Sequence, residues 1–274
     1  MQDWTGTLLL TVENKRGKTV SSNVYFQGAL KVMRPIYHDN FGKACYYILN
    51  PGGGYLDGDT YKLNITLKEY AQLTLTTQSA TKVYKTPHKL AYQETEIFLD
   101  KGSHLEYIPD PLIAYEHARY KQKNIIHMDK EATLICSDIL TPGWSPTGNQ
   151  FSYDLLQLIT KIYMDKELIV YDHLRLTPND QKLDNIGSME GFSHLGSMIV
   201  VGPKTNDELL DKLYKSIKGS SGDYEIGFSS LSVPGLSIRI LSNSTQLIEE
   251  ILTKCHNIIN YEWFNTHVNF LRKY

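Results

Sequence analysis

The sequence predicts a mainly β protein: a layered, helicoidal β-structure of stacked β-hairpin rungs, with a smaller α+β C-terminal portion containing about two helices. Three observations lead there. Apolar and polar residues alternate with period two through much of residues 1–178, the mark of half-buried strands. A weak internal repeat recurs: Leu67–Leu75, Leu99–Tyr107 and Met128–Cys136 each read as an apolar strand end, a three-residue polar turn, a small residue and an alternating strand. The offsets are 32 residues (67 to 99) and then 29 (99 to 128), so one supersecondary unit stacks on the next around a continuous core. From about Pro178 the composition changes. Residues 1–178 are therefore expected to form the β-stack, and 179–274 an α+β region packed on it in one compact unit.

In chain order, Thr7–Val12 and Ser22–Phe26 make a hairpin around the polar segment Glu13–Lys18. Leu30–Ile36 and Ala44–Leu49 are short strands on either side of a polar turn at His38–Gly42. Tyr61, Leu63, Ile65 and Leu67 alternate along the next strand. Tyr107-Ile108-Pro109-Asp110-Pro111-Leu112-Ile113 crosses in extended form, because two prolines one residue apart disfavour a helix. Thr141–Gly148 is a second long, exposed loop. Phe151–Tyr163 leads through Met164-Asp165-Lys166 into Leu168–Leu174; this reads as a long hairpin, with a helix over Asp154–Ile162 left open by period alone.

Asn179–Gly187 is a polar connector. Asn206 caps a helix with Asp207 and Glu208 in its first turn and Leu209, Leu210 and Leu213 as its buried stripe. The loop Gly219–Gly222 precedes strands at Tyr224–Leu231 and Leu236–Leu241. A last helix starts near Ser244, with Leu247, Ile248, Ile251, Leu252, Cys255, Ile258 and Ile259 on one face and a further turn or two through Trp263–Leu271.

The composition excludes several function classes. A net charge of −2 and a pI near 6.5 give no electrostatic case for nucleic acid or an anionic membrane. Cys45, Cys136 and Cys255 are odd in number, far apart and outside any CxxC pair, which argues for a reducing compartment. No secretory signal or run long enough to span a membrane is seen, so the expected location is the cytoplasm. Nineteen tyrosines against eight phenylalanines suit a β-rich chain with large amphipathic surfaces.

The loop Pro51-Gly52-Gly53-Gly54-Tyr55-Leu56-Asp57-Gly58-Asp59 invites a nucleotide reading and then refuses it. Gly53 and Gly58 have P-loop spacing, but Asp59 stands where the phosphate-binding lysine is required and would repel an anion. The nine histidines never form HxH, HxxH or HExxH, so no stable metal site is expected. No GxSxG is present, the cysteines lie on apolar faces, and no catalytic residue is assigned. Lys82, in Thr81-Lys82-Val83-Tyr84, reads as a solvated or interface cation. What is left is a β-scaffold with Pro- and Gly-rich loops and polar strand faces, which describes a partner-binding protein.

The residues resemble the urease accessory protein family of the UreD (also called UreH) type. The resemblance rests on Pro51-Gly52-Gly53-Gly54 with Asp57-Gly58-Asp59, followed by Thr76-Thr77-Gln78 and Ala80-Thr81-Lys82-Val83-Tyr84. It continues in Leu105-Glu106-Tyr107-Ile108-Pro109-Asp110-Pro111-Leu112-Ile113, in Ala118-Arg119-Tyr120 with Gln122, and around Val170–Leu176. It spans roughly residues 5–180, with a weaker echo in Phe270-Leu271-Arg272-Lys273-Tyr274. One segment departs: where the family carries an arginine and a glutamate, this chain reads Gly143-Trp144-Ser145-Pro146-Thr147-Gly148-Asn149-Gln150-Phe151.

The resemblance implies a non-enzymatic scaffold in urease maturation. Its partners would be the urease apoprotein, a UreF-type accessory protein and, through it, a UreG-type GTPase. Nickel would pass through an internal channel to the urease active site, with no tightly bound cofactor. Asp59 and Asp172 are the acids that family position places along such a route, and Thr76, Thr77 and Gln78 would supply a wet, polar wall. Gly52, Gly53, Gly54, Gly58, Lys82, Tyr84, Pro109, Asp110 and Pro111 carry the family motifs. Carboxylates and neutral polar groups bind nickel weakly, which suits transfer better than storage. A second reading stays open: a β-solenoid enzyme with a polar cleft around Asp59 and Lys82.

Overall fold

The computed structural model describes residues 4–38, 41–183, 185, 187–217 and 222–266. The chain opens with a hairpin of β1 (Gly6–Lys15) and β2 (Lys18–Gly28), turned at Arg16-Gly17, both with positive φ. Short β3 (Lys31–Val32) and β4 (Ala44–Leu49) follow, with Ile36 joined to Cys45 by a single bridge rather than within a strand running on from Leu30. Repeating turns of chain then build the body. The first is β5 (Thr60–Leu67), β6 (Gln72–Thr77) and β7 (Thr81–Val83); the second is β8 (Ala91–Leu99), β9 (His104–Tyr107) and β10 (Leu112–Ala114). The third is β11 (Arg119–Met128) and β12 (Thr133–Leu140), closed by the hairpin of β13 (Leu155–Met164) and β14 (Glu167–Leu176). The segment over Asp154–Ile162 is thus strand, as the hairpin reading has it.

Successive rungs pair in parallel, so the molecule is a mainly β, solenoid-like stack. One sheet has the order β14-β13-β11-β8-β5-β1-β2. The repeat read from the sequence falls into register: Leu67 pairs with Leu99 and Leu99 with Met128, while Leu73, Leu105 and Leu134 align in the facing sheet. The same corner recurs three times. Ala71, Ser103 and Ala132 each donate to the carbonyl three residues back, at 3.0, 3.1 and 3.0 Å. All three are wholly buried, which is why the corner takes only a small residue.

A third, narrow side is built from the loops. β7 pairs with β10, Tyr55 bridges to Val83, and Tyr115 bridges to Trp144. The two loops that looked irregular in sequence, 51–59 and 141–148, are therefore the end levels of this side. Both need glycine at the contact: a Cβ on Gly54 would lie 2.6 Å from the Lys82 carbonyl oxygen, and one on Gly143 2.3 Å from that of Ala114.

The C-terminal portion extends the second sheet. β15 (His194–Val201) pairs antiparallel with β12, followed by α1 (Asp207–Ser216), the hairpin β16 (Tyr224–Ser230) and β17 (Gly235–Ser242), and α2 (Thr245–Phe264). That sheet runs β16-β17-β15-β12-β9-β6-β4-β3. Asn206 and Ser244 cap the helices by accepting from Leu209 and Leu247 amides at 3.0 and 3.3 Å. α2 ends at an αL Asn265, short of the extension expected through Leu271, whose residues from 267 lie outside the described ones. No helix among the described residues is long and apolar enough to cross a membrane.

Two cores result. One fills the space between the sheets, with Leu8, Leu10, Ile65, Leu73, Leu105 and Ile126 at its centre. The other lies on the outer face of the second sheet, where Ile135, Met198 and Ile238 meet Leu209, Leu213, Ile248, Cys255 and Ile259 of the helices. Polar groups between the sheets must therefore be accounted for one by one.

Candidate functional site

A polar line crosses the apolar interior along the stack. Strand alternation points every second residue inward, and at one level those residues are Thr95, Asn124, Thr160 and Asp172, one from each of β8, β11, β13 and β14 and each in register with the next. The Asn124 amide donates to Thr160 Oγ1 at 3.4 Å, while its Oδ1 has no hydrogen-bond partner among the described residues. The facing row on the second sheet is Asp138, Ser197 and Arg239, again in register across β12, β15 and β17. The rows meet where Arg239 Nη2 donates to Asp172 Oδ1 at 2.5 Å; Nη1 also donates to Ser197 Oγ.

Towards the glycine loop, the line continues through amides and phenols. Gln122 Nε2 donates to Asp138 Oδ1 at 3.4 Å and Gln122 Oε1 accepts from Tyr120 Oη at 3.2 Å. Gln93 Nε2 donates to Thr95 Oγ1 at 3.1 Å and its Oε1 accepts from the Tyr55 hydroxyl. Gln93 and Gln122 line a cavity of about 80 Å³ that runs out past Gly53, Gly54, Thr77, Gln78 and Lys82. That is more than two waters' share of liquid volume, at roughly 30 Å³ each. Oxygen and amide donors thus reach from the cavity at one end to the Asp172–Arg239 pair at the other.

Burial pushes the Asp138 carboxyl up to about 6, and the neighbouring charge of Asp172 adds to this; the Gln122 hydrogen bond and the Arg239 charge pull against it. Burial likewise raises Tyr55, Tyr107 and Tyr120, whose hydroxyls stay protonated at neutral pH. Cys136 sits two residues from Asp138 on the same inward face, and burial holds its thiol protonated. No group of three or more His, Cys, Asp and Glu among the described residues is arranged to hold a metal ion. The chemistry offered is neutral oxygen and amide donors with two carboxylates, a set that binds a divalent cation weakly.

The residues singled out from sequence fall in several places. Thr77 and Gln78 line the cavity, and Asp172 ends the line. Thr76 faces the other way, on the outer side of β6, with Oγ1 donating to the Ile108 carbonyl at 2.5 Å. Asp59 shapes the loop: its Oδ2 accepts from the Leu56 amide at 2.8 Å and the Tyr61 hydroxyl at 3.2 Å. Lys82 lies on β7, its carbonyl receiving the Tyr55 amide at 2.8 Å. Lys82 is among the residues that line the cavity, and Asp59 is not. Tyr84 packs against Tyr115, and Tyr115 against Trp144, in tilted pairs with ring centroids 4.8 and 5.0 Å apart, so the Trp144 of the departing segment ends a row of aromatic rings. Asp110, between Pro109 and Pro111, accepts from Thr77 Oγ1 at 3.1 Å and fixes the crossing beside the cavity.

A second polar cluster went unread in the sequence. On the outward face of β9, Glu106 Oε1 accepts from Lys43 Nζ at 2.7 Å, Asn260 Nδ2 at 3.0 Å and His104 Nε2 at 3.2 Å. Its Oε2 accepts from Thr74 Oγ1 at 2.5 Å, and His256 Nε2 stands 3.1 Å from Oε1. Burial alone would raise the carboxyl; the charges of His256 and Lys43 and the imidazole hydrogen bonds outweigh it and hold it well below the usual range. Burial also keeps His104 low, consistent with a neutral ring whose Nδ1 accepts from Thr133 Oγ1 at 2.8 Å.

A family model for the UreD urease accessory protein matches residues 5–272. The chain belongs to the UreD family of urease accessory proteins. The match runs through the C-terminal region, where the motif resemblance thins out. A "Urease accessory protein UreD" of Lachnoclostridium phytofermentans is 50% identical over 274 residues, covering all of both chains. Proteins of the same name are 43% identical in Staphylococcus epidermidis (all of this chain, 99% of that one) and in Bacillus cereus (all of both). Family membership gives the polar line a setting: a urease accessory protein whose apolar interior is crossed by oxygen and amide groups.

Proposed function

We propose that this chain is a non-enzymatic scaffold of urease maturation that lets nickel move along the polar line between its two sheets. It would act in the cytoplasm, binding the urease apoprotein at one surface and a UreF-type protein at another, with a UreG-type GTPase recruited through the latter. The observation that carries this reading is the series of inward polar groups from the cavity lined by Gln78, Gln93 and Gln122, through the Gln122–Asp138 hydrogen bond and the Asp138, Ser197 and Arg239 row, to Asp172. An apolar stack has no structural need for such a series, since a buried polar group costs stability unless it is paired. Nickel is cargo in this scheme. Weak oxygen donors let it enter and leave, whereas clustered thiolates or imidazoles would trap it.

Co-expression with the urease subunits and the UreF-type protein is the test. A complex on size exclusion is expected, and its absence would sink the scaffold. Asp172→Ala should leave that complex intact while lowering urease nickel content and activity. Normal nickel content in that variant would remove the passage. Asp59→Ala, by contrast, tests whether the loop's shape alone matters to loading.

A further inference from the structure

We infer that Arg239 is a resident cation gating the polar line, pairing with Asp172 and offsetting the charge of Asp138 until a divalent metal ion displaces it. This rests on the passage reading above. Arg239, Ser197 and Asp138 form one cross-strand row on the inner face of the second sheet, and Asp172 reaches that row from the first. The guanidinium donates to Asp172 Oδ1 at 2.5 Å and to Ser197 Oγ. Behind it, Asp138 is held by Gln122, which lines the inner cavity.

Two carboxylates therefore face one guanidinium, and the site is one positive charge short. A divalent ion supplies both charges, and that difference is what lets it compete with the resident cation. Guanidinium has donors only and no lone pair, so it cannot ligate a passing metal and must move aside. It has somewhere to go: the Arg239 and Asp172 side chains keep 38% and 32% of their exposure, so this end of the line meets water. While it stays, it screens both acids and keeps their hold on metal weak, which favours handover over storage.

Nickel(II) alone is titrated calorimetrically into the purified full chain, as the natural sequence, Arg239→Gln, Arg239→Lys and the double variant Arg239→Gln/Asp172→Asn. Arg239→Gln should bind at least about tenfold tighter, and Arg239→Lys, which keeps the charge, should stay within about threefold of the natural sequence. The double variant should lose the gain. Equal affinity in Arg239→Gln and the natural sequence overturns the gate, and so does a gain that survives Asp172→Asn. If Arg239→Gln fails to fold, the natural chain decides the matter by nuclear magnetic resonance with diamagnetic zinc(II). The guanidinium protons of Arg239 should lose their exchange protection on saturation, and protection that persists overturns the proposal. The two readings fail separately: normal urease loading by Asp172→Ala removes the passage, whereas impaired loading there with unchanged nickel affinity in Arg239→Gln removes only the gate.

Discussion

Glu106 of β9 accepts a hydrogen bond from Asn260 of α2 at 3.0 Å, a link between residues 154 positions apart that ties the last helix to the middle of the stack. The carboxylate is almost wholly buried, and Lys43 pairs with it beside His256. Glu106→Gln leaves the ammonium unpaired and should lower stability by roughly 3–5 kcal/mol. The sign with pH follows from the depressed carboxyl. Its contribution is present above the unfolded value near 4.5 and fades as pH falls through the lower folded one. Urea melts across pH 2–7 check this: the natural chain should lose stability on acidification more steeply than Glu106→Gln, and parallel curves would refute it.

Asp138 works in the opposite sense. Its folded value of about 6 lies above the unfolded 3.8, so ionisation removes stability as pH rises between the two, and the loss is complete above both. Asp138→Asn should therefore be the more stable chain at pH 8, by roughly 1–3 kcal/mol, and lose that advantage at pH 4. Denaturation midpoints at the two pH values decide it; a gap of equal size at both would count against the assignment.

Asn124 separates stability from delivery. Its buried Oδ1 has no hydrogen-bond partner among the described residues, so Asn124→Leu, which keeps the branching at Cγ, should hold or raise stability by about 1 kcal/mol. The same change blocks one level of the polar line and should reduce urease nickel content in the co-expression assay. A variant that is both stable and fully competent would show that this level is not travelled.

Gly54 tests the narrow side. A methyl group there meets the Lys82 carbonyl, so Gly54→Ala should cost about 1–3 kcal/mol. Gly227, with open space around its Cβ position, is the control, and Gly227→Ala should change stability by no more than about 0.5 kcal/mol. Thermal midpoints of the two variants suffice for the comparison.

The stack was legible because its corners repeat. Leu67, Leu99 and Met128 announce one level and Ala71, Ser103 and Ala132 the turn after it, and only buried small residues fit that turn. The polar line was mostly hidden, for a physical reason. In Gln93-Glu94-Thr95-Glu96 and Lys121-Gln122-Lys123-Asn124 both faces of the strand are polar, so period two no longer says which side is inward. Asp138 and Arg239 carry no local signal of each other, since 101 residues (138 to 239) separate them and only the β12-β15-β17 register joins them. His256 and Asn260 lie on the buried stripe of α2, where the apolar pattern masked them. Asp172 could be placed from family position, and its partner could not.

Parallel stacking also decides how such a chain can order itself. Between β5 and β13 each sheet contact closes a loop of about thirty residues, and among the described residues a tight two-residue hairpin is available only at Arg16-Gly17 and Asp165-Lys166. Chains dominated by such distant pairings nucleate slowly and keep unpaired edges in solution for longer. The middle of this molecule, where the polar line runs, is thus the part that must wait longest to order.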